Sequence, residues 1–219
     1  VRRSSDPAHP QWGAWVMMQE PEIVQGLHED YLRAGARMIT LNSYSINRSR
    51  LSNFGMPERL AELQRTAIRL AAGARDAVGV DAALAGCLPP LVGSYHPELL
   101  PPDPELLEEY REIVSLQADH VDVFLCETMS KASEARMAAT AACESGKPVW
   151  VAWTMDEELG PDGRFGLLAG LPLQILPDPG RHGRQVLEVA HGLGELVGKL
   201  REFFGLLGLE GDREMVLLS

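Results

Sequence analysis

Four short apolar runs, Met38–Leu41, Ala82–Ala85, Val121–Leu125 and Val149–Trp153, alternate along the chain with longer stretches in which apolar residues recur every three or four positions. The runs are nearly continuous rather than alternating, the pattern of parallel strands covered on both faces. The longer stretches read as helices. Glu58–Val78 places Leu60, Leu63, Ala67, Leu70, Ala71, Ala74 and Val78 on one stripe. Pro104–Ala118 begins with Asp103 as a cap, Pro104 at its first position and Glu105 at the positive end of the helix dipole. Lys131–Glu144 is stopped by Gly146 and Pro148. The order β-α-β-α-β-α-β predicts part of a barrel or an open, doubly wound sheet. No Gly-x-Gly-x-x-Gly and no phosphate-cradling loop follows any run, which counts against a dinucleotide-binding sheet.

After Thr154 the texture changes. Residues 155–183 are rich in Gly, Pro and charge and read as loop. A last helix is expected over Gln185–Leu207, with Val186, Val189, Leu193, Leu196, Leu200, Phe203 and Leu207 on one face. Weak strand signals remain at Leu173–Leu176 and Met215–Leu218, too few to complete an eight-stranded barrel.

Each strand run leads into polar or special residues: Asn42-Ser43-Tyr44, Gly86-Cys87-Leu88-Pro89-Pro90, Glu127-Thr128 and Thr154. In a barrel such tips converge on one mouth. Glu127 is the leading candidate, because a carboxylate ending an apolar strand is costly unless it meets a ligand ammonium or another donor. The plainer alternative has it capping the next helix or facing water. Trp12 and Trp15 are equally readable as packing residues. His9, His28, His120, His182 and His191 are expected on loops or helix faces in solvated or capping roles, and Glu105, Glu108, Glu109 and Glu112 as a solvated helix face.

Composition narrows the partners. The 219 residues are 45% hydrophobic and 23% charged, ordinary for a globular domain. A net charge of −11 argues against nucleic acid or an anionic membrane as partner. No apolar run reaches the roughly 18 residues of a membrane span, and the N-terminus carries no signal-peptide pattern. Three cysteines, Cys87, Cys126 and Cys143, without a Cys-x-x-Cys favour free thiols and a cytoplasmic location.

The segment from Leu27 to Tyr44 (LHEDYLRAGARMITLNSY) resembles the second helix-strand unit of the homocysteine S-methyltransferase family. Four more segments, in order, are similar to that family: Pro10-Gln11-Trp12-Gly13-Ala14, residues 84–95 (LAGCLPPLVGSY), Leu125-Cys126-Glu127-Thr128-Met129-Ser130 and residues 148–154 (PVWVAWT). The resemblance spans roughly residues 10–154. It implies an incomplete TIM-type (β/α) barrel, about strands two to five of the family barrel, over residues 1–170, with a divergent helical tail over 171–219. It also implies transfer of a methyl group to the homocysteine thiol, giving methionine, from a sulfonium, ammonium or folate donor. By the same correspondence Glu127 holds the homocysteine ammonium, and Asn42, Tyr44, Trp12 and Thr154 line the substrate pocket.

The family uses zinc, bound by an Asn-Cys after the sixth strand and a Gly-Gly-Cys-Cys-Gly after the eighth, to lower the pKa of the homocysteine thiol. Neither motif is present, nor is the first strand's Asp-Gly-Gly-x-Gly-Thr. Cys87 and His96 are the rim candidates for a substitute, and two ligands fall short of the three that a catalytic zinc needs. No metal ligand and no catalytic residue is therefore assigned. Two alternatives stand beside an active methyltransferase. One is a non-catalytic barrel remnant that binds or self-associates into a homo-oligomer through open strand edges. The other is a truncated or frame-shifted gene product, with the likeness fading near Gly163–Gly170.

Overall fold

The computed structural model describes residues 3–4, 9–93, 96–159, 165–167 and 186–191. Helices α1 (Trp12–Gln19) and α2 (Pro21–Arg33) lead into strand β1 (Met38–Thr40). Pro21 occupies the first position of α2, where its missing N–H costs nothing. The same helix ends on Gly35, whose φ of 101° lets the chain reverse. There Gly35 N–H reaches the Leu32 carbonyl and Ala36 N–H reaches the Tyr31 carbonyl, both at 3.0 Å, so the last turn is satisfied as the strand begins.

A short helix α3 (Arg48–Ser52) and the long α4 (Leu60–Val78) connect β1 to β2 (Ala83–Leu88). The predicted stripe is the buried face of α4: Leu60, Leu63, Ala67, Leu70, Ala71 and Ala74 are each at most 2% exposed. Each buried leucine contributes about 1.5–3 kcal/mol. Helix α5 (Asp103–Gln117) then leads to β3 (Val123–Met129), and α6 (Ala132–Glu144) to β4 (Val149–Leu159). Asp103 does not cap α5 from outside. It is the first helical residue, preceded by Pro102, and its carboxylate pairs with Arg136 at 3.0 Å. Its charge still sits at the positive end of the dipole.

Strands β1 to β4 form a parallel sheet in chain order, without the reversal that marks a doubly wound fold. Helices α2, α4, α5 and α6 pack neighbour against neighbour over one face. There the main core gathers Ile39, Leu84, Phe124, Cys126, Val151 and Trp153 with the helix stripes. Alternation sends Ala85, Val123 and Leu125 to the opposite face, where Met38, Trp150 and Ala152 pack around them. Among the described residues, no helix is long and apolar enough to cross a membrane.

Beyond Trp153 the chain departs from expectation. β4 runs on to Leu159, so Thr154 lies inside a strand rather than at its end. Strand β5 (Phe165–Leu167) pairs with β4 antiparallel, within a stretch read as loop. Strand β6 (Val186–His191) pairs with β4 in parallel, where the sequence predicts the start of a helix. Val186 and Val189 satisfy a helical spacing, yet a six-residue segment with two valines and four apolar residues suits a strand equally. The open edge of β4 decides between them. The remainder of Gln185–Leu207, the strand signals at Leu173–Leu176 and Met215–Leu218, and most of the 171–219 tail lie outside the described residues.

Candidate functional site

The C-terminal ends of β1, β2 and β3 bring three predicted segments close together. Leu41, one residue past β1, donates its N–H to the Ala85 carbonyl at 3.0 Å, which holds the following Asn42-Ser43-Tyr44 beside the end of β2. Gly86 in β2 has no side chain for a reason. A Cβ there would lie 2.6 Å from both the Gln117 amide oxygen and the Phe124 ring. Cys87 then faces away from the helices, as do Leu125 and, two residues on, Glu127.

The Cys87 thiol donates to Glu127 Oε1 at 2.7 Å, joining neighbouring strands at their tips. Cys87 is fully buried and Glu127 half-buried. Burial pushes the Glu127 carboxyl above the ordinary carboxylate range, partly offset by the bond from Cys87. The Cys87 thiol is pushed well up, first by burial, then by the charge and hydrogen bond of Glu127. The Ser43 hydroxyl and the positive charge of Arg50 act in the other direction. The result is a protonated thiol and a poor nucleophile.

Immediately after Glu127 the backbone is strained. Thr128 has φ 60°, a left-handed conformation disfavoured for a β-branched residue. The pairing of β3 with β4 slips between Cys126 and Met129. This bulge sets the direction of Glu127 at the strand's end.

The remaining candidates gather beside this pair. Asn42 Nδ2 donates to the Gly13 carbonyl at 3.0 Å, fixing α1 to the end of β1. Trp12 opens α1 with φ 47°, is 54% exposed and stacks on Tyr44 with centroids 6.3 Å apart and planes 12° off parallel. It is therefore not buried packing. Its companion Trp15 stacks on His9 at 4.0 Å. Thr154 is not drawn into this group. It lies within β4, half-exposed, in register with His191 of β6. The latter is thus at a strand tip, not on a helix face as expected.

Under the tips runs a buried amide network that sequence alone did not flag. Gln117 accepts from Cys87 N–H at 3.0 Å and donates to Gln64 at 2.9 Å, while Gln64 donates to the Ile46 carbonyl at 2.7 Å. Both glutamines are fully buried on helix stripes, where an apolar residue is expected. Their appearance at core positions of α4 and α5 was the available signal. A second missed group is Glu134, 1% exposed, which accepts from Leu91 N–H at 3.0 Å and faces the Tyr110 hydroxyl at 3.2 Å. Burial raises its pKa, and these hydrogen bonds partly offset the rise. It occupies the third position of α6, where a capping glutamate is common. Here it clasps the loop after β2 instead.

Two expectations about surface groups need correction. Glu109 accepts from Ser49 N–H at 2.8 Å and Ser49 Oγ at 2.7 Å, and Glu112 pairs with Arg48 through Nε and Nη2, so half of that acidic face docks α3. His28 is buried at 9% exposure, and burial lowers its pKa to about 4. Its neighbours on α2 are spaced so that the imidazole falls on the apolar stripe with Val24 and Leu32.

These residues do not suit a zinc centre. Cys87 is protonated and already engaged by Glu127. Cys126 points into the helix-facing core, where burial pushes its thiol up. Cys143 lies late in α6, and His96 is exposed and paired with Glu98 at 3.0 Å. Among the described residues no three His, Cys, Asp or Glu side chains gather to hold a metal.

The fold is similar to that of the homocysteine methyltransferase MmuM from Escherichia coli. Against its metallated form the TM-score is 0.67 at 24% identity, over 78% of this chain and 62% of that one. Against its oxidised form the TM-score is 0.65 at 25% identity, over 78% and 66%. The chain thus spans less than two thirds of the metallated structure's length. In sequence it is 26% identical over 254 aligned residues to the homocysteine S-methyltransferase of Escherichia coli strain K12, covering 92% of this chain and 81% of that protein. The family model for homocysteine S-methyltransferase matches residues 2–166, well over half of the 219. The chain belongs to the homocysteine S-methyltransferase family.

Proposed function

We propose that the ends of β1–β3 form a homocysteine-binding site in which Glu127 takes the substrate's ammonium. The observation that carries this reading is the position of that carboxylate. It is half-buried near the end of β3 on the face opposite the helices, and among the described residues its hydrogen-bond partner is a thiol. A substrate ammonium supplies the charge and donors that a desolvated carboxylate lacks. Trp12, Asn42 and Tyr44 line the approach, and Thr154 belongs to the wall nearer β6. The chain-order sheet with helices along one face is read as an arc of a (β/α) barrel, whose inner surface carries Val123, Leu125 and Glu127.

The family's chemistry transfers a methyl group to the homocysteine thiol to give methionine, and zinc lowers the pKa of that thiol. The ligand set for zinc does not fit here, so the chain is proposed to hold homocysteine without forming methionine on its own. Isothermal titration of the full chain with L-homocysteine, with and without zinc, tests the binding. A methionine assay with a sulfonium donor tests turnover. Binding that is independent of zinc, lost in Glu127→Gln and without turnover is the expected result. No binding under either condition removes the reading.

A second reading is favoured by one observation, that β1 lies at the edge of the sheet among the described residues. An unpaired edge invites another strand, and a remnant that self-associates is the outcome if light scattering finds a dimer.

A further inference from the structure

Arg50 stands at the same opening with no ion pair among the described residues, although its charge is felt by the buried Glu134 carboxyl. It is carried by α3, whose start is fixed by Asn47: the side-chain oxygen accepts the Arg50 N–H at 2.8 Å. The guanidinium lies over the Tyr44 ring, 5.1 Å from its centroid, and Nη2 donates to the Pro90 carbonyl at 3.0 Å. Tyr44 follows β1 and Pro90 follows β2, so the cation spans the two loops that flank Cys87. Ion pairs hold Arg48, Arg59, Arg75, Arg111 and Arg136, whereas none among the described residues reaches Arg50. Its Nε is buried and has no hydrogen-bond partner among the described residues.

A loop clasp accounts for Nη2 and the ring contact. It does not account for Nε, since a buried donor without an acceptor is destabilising. The forked guanidinium matches a carboxylate in geometry and charge, and its binding to one is strengthened where water is excluded. Resting on the reading of Glu127 as the ammonium acceptor, we propose that Arg50 anchors the ligand's α-carboxylate, so that Glu127 and Arg50 hold the two charged ends of an amino acid on either side of the Cys87 thiol. Tyr44, which the guanidinium covers, follows β1 beside the end of β2, where Cys87 meets Glu127, and the Cys87 sulfur feels both charges with opposite sign.

The test is isothermal titration of the full chain with two probes, L-homocysteine and 3-aminopropane-1-thiol, which keeps the amine and thiol but lacks the carboxylate. Arg50→Gln is expected to weaken homocysteine by about tenfold or more, the usual scale for a charged hydrogen bond, and to leave the aminothiol nearly unchanged. Arg50→Lys, which keeps the charge, recovers part of the loss. Glu127→Gln weakens both probes, which separates its role from that of Arg50. An Arg50→Gln protein that loses both probes equally, or neither, overturns the anchor while leaving the Glu127 reading standing. A wild-type chain that binds neither probe overturns both.

Discussion

Cys87 and Glu127 meet across adjacent strands, the thiol donating to the carboxylate at 2.7 Å; the carboxylate helps keep the thiol protonated, while the thiol's bond favours the ionised carboxylate. Only the thiolate reacts with alkylating agents. Iodoacetamide at pH 8 is therefore expected to label half-buried Cys143 well before Cys87 or Cys126. Glu127→Gln removes the negative charge and should speed labelling of Cys87 severalfold. Peptide mass spectrometry reads both rates, and equal labelling of Cys87 and Cys143 in the native chain contradicts the assignment.

His28 gives the fold a pH dependence. Its folded pKa, about 4, lies below the ordinary histidine value of 6.5, so the unfolded chain binds the proton more readily. The contribution is full above 6.5 and is lost as pH falls toward 4. The whole effect amounts to roughly 3 kcal/mol. Urea unfolding at pH 7 and pH 5 should show the native chain losing more stability than His28→Gln. Parallel losses in the two proteins would place the imidazole in water.

Glu127 and Glu134 act with the opposite sign. Their folded pKa values are raised, so their contribution is present below the ordinary glutamate range and is lost as pH rises through the folded values. Glu134→Gln keeps an acceptor for Leu91 N–H and removes the titration. It is expected to flatten the decline in stability as pH rises above the ordinary glutamate range, measured by the same unfolding experiments on a His28→Gln background. An unchanged slope contradicts the role given to burial.

Gln117 ties β2 to α4 through Cys87 N–H and Gln64. Gln117→Ala leaves a buried N–H and a buried amide oxygen without partners, at about 1–3 kcal/mol each. A loss of about 3 kcal/mol in chemical denaturation is expected. A loss under 1 kcal/mol would show that the network is not a unit.

Two glycines separate fold from site. In Gly86→Ala the new methyl meets the Phe124 ring and the Gln117 amide, both buried, so overpacking of about 1–3 kcal/mol is expected. In Gly13→Ala it meets the Asn42 side-chain oxygen at 2.6 Å, a group able to turn away. Helix propensity gains about 1 kcal/mol there, so stability stays nearly level while homocysteine affinity falls. Equal affinity in Gly13→Ala and the native chain removes Asn42 from the pocket.

The parts legible in the sequence were those governed by one strong period. The α4 stripe from Leu60 to Ala74 and the strands at Met38, Ala83, Val123 and Val149 follow from apolar spacing, because burial leaves little choice. Val186–His191 was illegible, since six residues satisfy helix and strand alike and the edge of β4 decides. Thr154 was placed at a strand end because Gly and charge follow it, yet β4 continues to Leu159. Asn42, Tyr44 and Glu127 could be singled out as polar residues after apolar runs. Arg50, Gln117 and Glu134 could not, because what distinguishes them is the company they keep across loops and helices.

The left-handed backbone at Thr128 sets a trade between endurance and grip. Holding a β-branched residue at φ 60° costs about 1–3 kcal/mol, a load that Thr128→Gly would shed. The relaxed chain should melt later. Its acidic hook would swing more freely, so a hardier protein at this one position is also a weaker host for its guest.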